Sequence, residues 1–179
     1  MVGREGERTG IQREVNVASE DDRRAARVLA GLATTGVGRA PDPEAGWFPL
    51  RWLARGRRSG RLVYDEEPDT RWRDTMSANR PGWRERAAWL DGDEVFAVDY
   101  QVCGTCGLAW VEEPYTVPDY QRCGLAAAGL AALRTEYPGL EWHTLGGHFR
   151  ETEPFWSAVG DGINGGYAKR VVCPHRTAG

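Results

Sequence analysis

Apolar positions recur at helical spacing through EDDRRAARVLAGL (20–32), behind Ser19 and a first turn of acids. That pattern predicts a capped helix ending near Gly31 and Gly36. Ahead of it, IQREVNV (11–17) reads as a first strand, after a polar, Gly-rich start (1–10) expected to stay unstructured. Alternation in RERAAWL (84–90) and EVFAVDYQV (94–102), joined by Asp91-Gly92, predicts a β-hairpin. A second tight turn, Cys103-Gly104-Thr105-Cys106, leads into LAWVEE (108–113), a strand expected to stop at Pro114. A helix over 124–135 follows, then a strand at LEWHTL (140–145), a short helix around EPFWSAV (153–159) and a closing strand at GGYAKRVVC (165–173). From 36 to 84 the pattern is weak: Gly, Pro and Arg abound around Trp47, Trp52, Trp72 and Trp83, and a short helix around FPLRWLAR is the one local signal. Mixed helices and strands around one antiparallel-leaning sheet make the fold class α+β.

At 179 residues the chain suits one sizeable core rather than two domains. A net charge of −3 gives no electrostatic case for a nucleic-acid or membrane partner. Lys169 is the sole lysine beside many arginines, which we read as coding bias towards GC-rich codons. No apolar run approaches the roughly 20 residues of a membrane helix, and MVGREGERTG has no apolar signal core, so the expected location is cytoplasmic. The four cysteines are then expected to be reduced, which points to metal binding or plain burial rather than disulfides.

The switch to small residues in YQRCGLAAAGLAAL (120–133) changes the picture. A Gly at the first turn of a helix lets a ligand reach the backbone, and the free N–H groups there suit phosphate oxygens. The longer stretch TVPDYQRCGLA (116–126) resembles the acetyl-coenzyme A binding segment of the GNAT superfamily of N-acetyltransferases. Pro118, Asp119, Tyr120, Gln121, Gly124 and Ala126 fall in register with its Pro-acidic-Tyr run and Gln/Arg-x-x-Gly-x-Gly/Ala turn. FWSAVG (155–160) is similar to the family's Phe-Tyr-x-x-Leu-Gly helix end, and 11–32 fits its opening loosely. The resemblance implies one GNAT-like acyl-CoA N-acyltransferase domain over 1–179, a mixed central sheet flanked by helices, with 36–84 as the variable acceptor-side segment. It implies acetyl-CoA as donor, held by Thr116, Val117, Gln121, Arg122, Cys123, Gly124, Leu125 and Ala126. The acceptor is an amine of a small molecule or peptide, with a tRNA acceptor and a homodimer left open. Ala126 replaces the family's second Gly. Trp156 replaces the Tyr that protonates the leaving thiolate, so that Tyr167 or Ser157 substitutes, the thiolate leaves unassisted, or catalysis is lost.

Acetyl transfer needs a neutral amine, usually delivered by a carboxylate. Glu112 and Glu113 lie on the strand before the cofactor turn, and alternation sends them to opposite faces, with Glu112 favoured as base. Cys103-x-x-Cys106 and Cys173-Pro174-His175 supply four ligands of zinc type. The closing strand should run antiparallel to 108–113 in the resembled fold, which would bring both pairs to one end of the sheet as a structural Zn²⁺ site. His143 and His148 are further candidates for the acceptor cleft. RWLARGRRSGR (51–61) is either a solvated surface or a contact to an acidic acceptor or RNA. A non-catalytic zinc-stabilised binding protein, and an acyl or aminoacyl transferase with another donor, are the alternatives to an acetyltransferase.

Overall fold

The structure is a computed structural model that describes residues 17–39 and 71–176. The expected unstructured start, most of the strand at 11–17, the helix around FPLRWLAR and the Arg-rich run at 51–61 lie outside those residues. In chain order the elements are α1 (Glu20–Gly31), β1 (Val37–Arg39), β2 (Trp72–Met76), β3 (Arg84–Leu90), β4 (Asp93–Cys103), β5 (Leu108–Thr116), α2 (Leu125–Glu136), β6 (Glu141–Thr144), α3 (Glu153–Gly160) and β7 (Ala168–Lys169). The strands form one mixed sheet in sequence order, with β2 to β5 an antiparallel meander and parallel pairs at β1·β2, β5·β6 and β6·β7. The fold is therefore α+β, as the pattern predicts.

Two expectations are corrected, and two strands appear where the pattern predicts none. Strands β1 and β2 fall within the stretch where the pattern is weak. Pro114 does not end β5: Asp99 pairs with Glu112 and Ala97 with Tyr115, so Glu113 and Pro114 together oppose Val98 as a bulge. Glu113 takes φ 48° to make it, and Pro114 sits where a ladder N–H is not needed. Finally, β7 is short and runs parallel to β6 and β5, not antiparallel.

Helix α1 starts where Ser19 Oγ accepts the Asp22 N–H at 3.2 Å and Asp22 accepts the Ser19 N–H at 2.7 Å, a complete capping box. Helix α2 lies on the sheet face that carries Trp72, Phe96, Val98, Tyr100 and Val111. Its small residues allow that approach: a Cβ on Gly129 would stand 2.7 Å from the Phe96 ring. The opposite face carries a smaller cluster of Trp83, Cys103, Leu108, Trp110 and Cys173.

Among the buried polar groups, Asp74 on β2 joins the sheet to the end of α2. It accepts hydrogen bonds from Arg84, from Arg86 at 2.7 and 3.0 Å and from the Tyr100 hydroxyl at 2.6 Å, while Arg86 also reaches Glu136 at 2.6 Å. Burial alone would raise the Asp74 pKa, but Tyr100, Arg86 and Arg84 outweigh it and hold the carboxyl below its usual range. A lowered folded-state pKa gives stability that is present above the unfolded value and lost as pH falls through the folded one. Asp74→Asn is expected to cost about 3–5 kcal/mol at neutral pH, because Arg84 and Arg86 lose the buried carboxylate they share. Denaturant melts should show the gap from the parent protein closing as the pH is lowered into the acid range.

Candidate functional site

Strands β5 and β6 pair only where Leu108–Trp110 faces Glu141–His143. Beyond that, β5 runs on to Thr116 while β6 ends at Thr144, so the two strands part and open a wedge in the sheet. A cleft of about 770 Å³ fills the wedge. Its walls are β5 from Val111 to Thr116, the turn Tyr120–Arg122 with Gly124–Ala127, the segment Gly146–Phe149, and Phe155 and Trp156 of α3. Segments from separate predicted elements thus meet at one place.

At the α2 wall, Gly124 caps the helix with φ 88°, two residues after Arg122 at φ 62°. Left-handed backbone at these two residues turns the chain into the helix, whose N-terminal amides suit anions. No backbone carbonyl among the described residues takes the amides of Arg122, Gly124, Leu125, Ala126 or Ala127. No side chain caps the helix, and its first turn holds no acid. The contrast with α1, whose N-terminus is closed by Ser19 and its own acids, is direct. The turn is itself anchored from α1: Arg23 donates to the Asp119 and Gln121 carbonyls.

Of the residues expected at the cofactor turn, Thr116, Gln121, Arg122, Gly124, Leu125 and Ala126 line the cleft. Val117 and Cys123 do not. The Val117 amide donates to Val95 at 3.1 Å, the Cys123 amide to Tyr120 at 3.3 Å, and the Cys123 side chain is buried in the main core.

Across the wedge, both candidate bases line the cleft, for a reason alternation does not supply. The bulge breaks the period after Glu112, and Arg80 at the tip of the β2–β3 hairpin gathers the two carboxylates, 2.6 Å from Glu113 and 3.9 Å from Glu112. Glu112 is fixed from the far strand as well, its Oε1 accepting the Leu145 amide at 2.5 Å and the Gly146 amide at 3.4 Å. Glu113 is largely exposed.

Tyr167 lies apart from the cleft. It is fully buried against Trp142 and Trp156, and its hydroxyl accepts a hydrogen bond from Arg134. Ser157 is exposed on α3. The cleft instead contains a ring pair that sequence reasoning did not assemble: His148 stacks on Trp156 with centroids 4.5 Å apart. His143 stands elsewhere, its Nδ1 3.1 Å from the Ala168 carbonyl oxygen.

At the end of β5 remote from the bulge, Cys103, Cys106, Cys173 and His175 bring their ligand atoms within 4.8 Å of one another. The meeting does not come from an antiparallel closing strand. The chain leaves the sheet after Lys169, Trp110 Nε1 donates to the Arg170 carbonyl at 3.0 Å, and Cys173 then enters the cluster with Trp83 and Trp110. Cys103 and Cys173 are buried, Cys106 and His175 exposed, and Cys106 Sγ is 3.2 Å from His175 Nδ1. Tetrahedral sulfur ligands around zinc stand roughly 3.8 Å apart, so the group can hold a metal ion with little adjustment. Crowding sets the thiols against one another: hydrogen bonding with Cys173, burial and Cys103 push Cys106 up to about 11. A bound cation would relieve that conflict by taking them as thiolates.

No helix among the described residues is long and apolar enough to cross a membrane. Comparison of the chain with protein-family models, with curated proteins and with solved structures finds no match to any of them.

Proposed function

We propose that the protein is an acetyl-coenzyme A-dependent N-acetyltransferase of GNAT type, acting on an amine and carrying a structural zinc ion. One observation carries the reading: the wedge between β5 and β6 sets uncapped helix amides on one wall and a bulge with two carboxylates on the other. The amides of Arg122 and Gly124–Ala127 would hold the cofactor pyrophosphate, and acetyl-CoA would supply the activated acetyl group. Glu112, held by the Leu145 and Gly146 amides, is the base that takes the proton from the acceptor ammonium. Cys103, Cys106, Cys173 and His175 would ligate Zn²⁺ at a distance from this chemistry.

A second reading, a zinc-stabilised binding protein with no catalysis, draws support from Trp156 standing in place of the donor Tyr and from Tyr167 being buried. Acetyl transfer to an amine library separates the two.

The donor site has a test that spares the fold. Ala127 lines the cleft in the first turn of α2 and is exposed, so Ala127→Glu displaces no packing and favours the helix dipole. The same carboxylate would repel a pyrophosphate. Calorimetry should show coenzyme A binding weakened by about tenfold or more, at an unchanged or slightly raised melting temperature. Equal coenzyme A affinity in parent and variant would remove the main support for this reading.

A further inference from the structure

On the sheet face away from α2, strand register places Glu85 of β3 opposite Asp99 of β4, and Asp99 opposite Glu112 of β5. The three carboxylates form a row across adjacent strands, and Glu113 extends it at the rim of the cleft. Among the described residues Arg80 is the cation that serves it, 3.3 Å from Asp99 Oδ2 and nearer still to Glu113, with its guanidinium over the Trp83 ring. Among the described residues, four carboxylates thus face one guanidinium, a negative excess that runs from the cleft wall at Glu112 and Glu113 across β4 to β3.

Among the described residues the row also has acceptors without a hydrogen-bond partner. Asp99 is 9 % exposed, and its Oδ1 is buried with no hydrogen-bond partner. Two residues along the same face of β4, Gln101 is 4 % exposed; its Nε2 donates to the Gly82 carbonyl at 2.8 Å, while its Oε1 has no partner. Buried acceptors of this kind are costly unless a donor reaches them. The surroundings are already strained electrostatically: burial, Glu94 and Asp99 push Glu85 up to about 6, and burial raises Asp99 against the pull of Ser77 and Arg80. A group with several N–H donors and a positive charge would answer both deficits. An ammonium has that chemistry.

We infer that the row Glu85–Asp99–Glu112 is the acceptor subsite for an aliphatic di- or polyamine, one ammonium being held at Asp99 while a second amine stands at the cleft. The inference rests on the acetyltransferase reading of the cleft only for which amine reacts; the cation site itself stands on the carboxylates and the orphaned oxygens. A monoamine or an amino alcohol brings a single ammonium, which can answer Asp99 or stand at the cleft but cannot do both, so the site discriminates against it.

Calorimetric titration with 1,4-diaminobutane and with 4-amino-1-butanol, equal in chain length, isolates the second charge. The diamine is expected to bind roughly tenfold to a hundredfold tighter in low salt, the scale of charges a few ångströms apart near a protein surface. The preference should shrink as salt rises and largely vanish in Asp99→Asn. Glu85→Gln, at a half-buried position, should weaken the diamine in the same direction and serves if Asp99→Asn fails to fold. Equal affinity for the two probes, no binding of either, or a preference that survives both substitutions overturns the inference. Coenzyme A titration is run separately: a protein that binds the diamine but no coenzyme A keeps this site and loses the acetyltransferase reading.

Discussion

His175→Ala is expected to lower the melting temperature by about 10–20 °C, as far as Cys173→Ser does, although His175 is exposed and Cys173 buried. An exposed side chain without a special role changes stability by no more than about 0.5 kcal/mol, whereas loss of a bound metal belongs to the few causes that exceed about 4 kcal/mol. For a chain of this length each kilocalorie shifts the midpoint by about 2–4 °C. The metal is the cause we assign, because whatever binds only the native state adds its binding free energy to folding. The cross-link it makes is long, Cys106 and His175 being 69 residues apart, and it ties the segment after β7 to the β4–β5 turn. Beneath it, among the described residues, lies the small cluster of Trp83, Leu108 and Trp110 with two of the ligands. A chelator should reproduce the effect in the parent protein and add nothing in His175→Ala. Cys123→Ser, a buried thiol in the main core away from this group, is the control that should leave metal content intact. About one zinc per chain by elemental analysis is expected. A parent protein whose melt is indifferent to chelation, or a His175→Ala protein as stable as the parent, refutes the site.

The sequence made this cluster legible because ligand types and their spacing are local, whereas the path that joins them is not. The expected antiparallel closing strand gave the right meeting by the wrong route: β7 is parallel, and the return of Cys173 depends on the tail after Lys169 folding back over Trp110. The same distinction runs through the fold. The capped start of α1, the β3–β4 hairpin and the Gly124 turn were legible because caps, turns and period-2 alternation act over a few residues. Strands β1 and β2 were not, since VGR and WRDTM carry too few alternating apolar positions, and Asp74 is buried only because Arg84, Arg86 and Tyr100 come to it from other strands. The bulge at Glu113 needed the partner strand to define it. Asp99 had a faint signal, an acid amid the apolar alternation of VFAVDYQV, yet its meaning came from the register that aligns it with Glu85 and Glu112.

On the proposed acetyltransferase reading, Glu112→Gln should reduce kcat for acetyl transfer by about 10²–10⁴-fold, the usual contribution of a positioned base. The substitution keeps the side-chain oxygen that the Leu145 and Gly146 amides hold, so shape and orientation survive while basicity is lost. Because Glu112 also ends the acidic row, the acceptor KM should rise, but by far less than kcat falls. Asp99→Asn should split the other way, with KM for a cationic acceptor rising more than kcat falls, since Asp99 faces the row and does not line the cleft. Glu113→Gln should change kcat by no more than a few-fold: the bulge turns Glu113 outward and leaves it largely exposed beside Arg80. In the parent protein the acetyl-transfer rate should climb with pH and then level off as the bound ammonium becomes easier to deprotonate, and Glu112→Gln should push that climb to higher pH. Small and equal effects of the Glu112 and Glu113 changes would mean that the amine arrives neutral or that another group takes its proton. A larger loss in Glu113→Gln would place the reacting amine on the outer side of the bulge, where Arg80 rather than the Leu145 and Gly146 amides would set the geometry of the base.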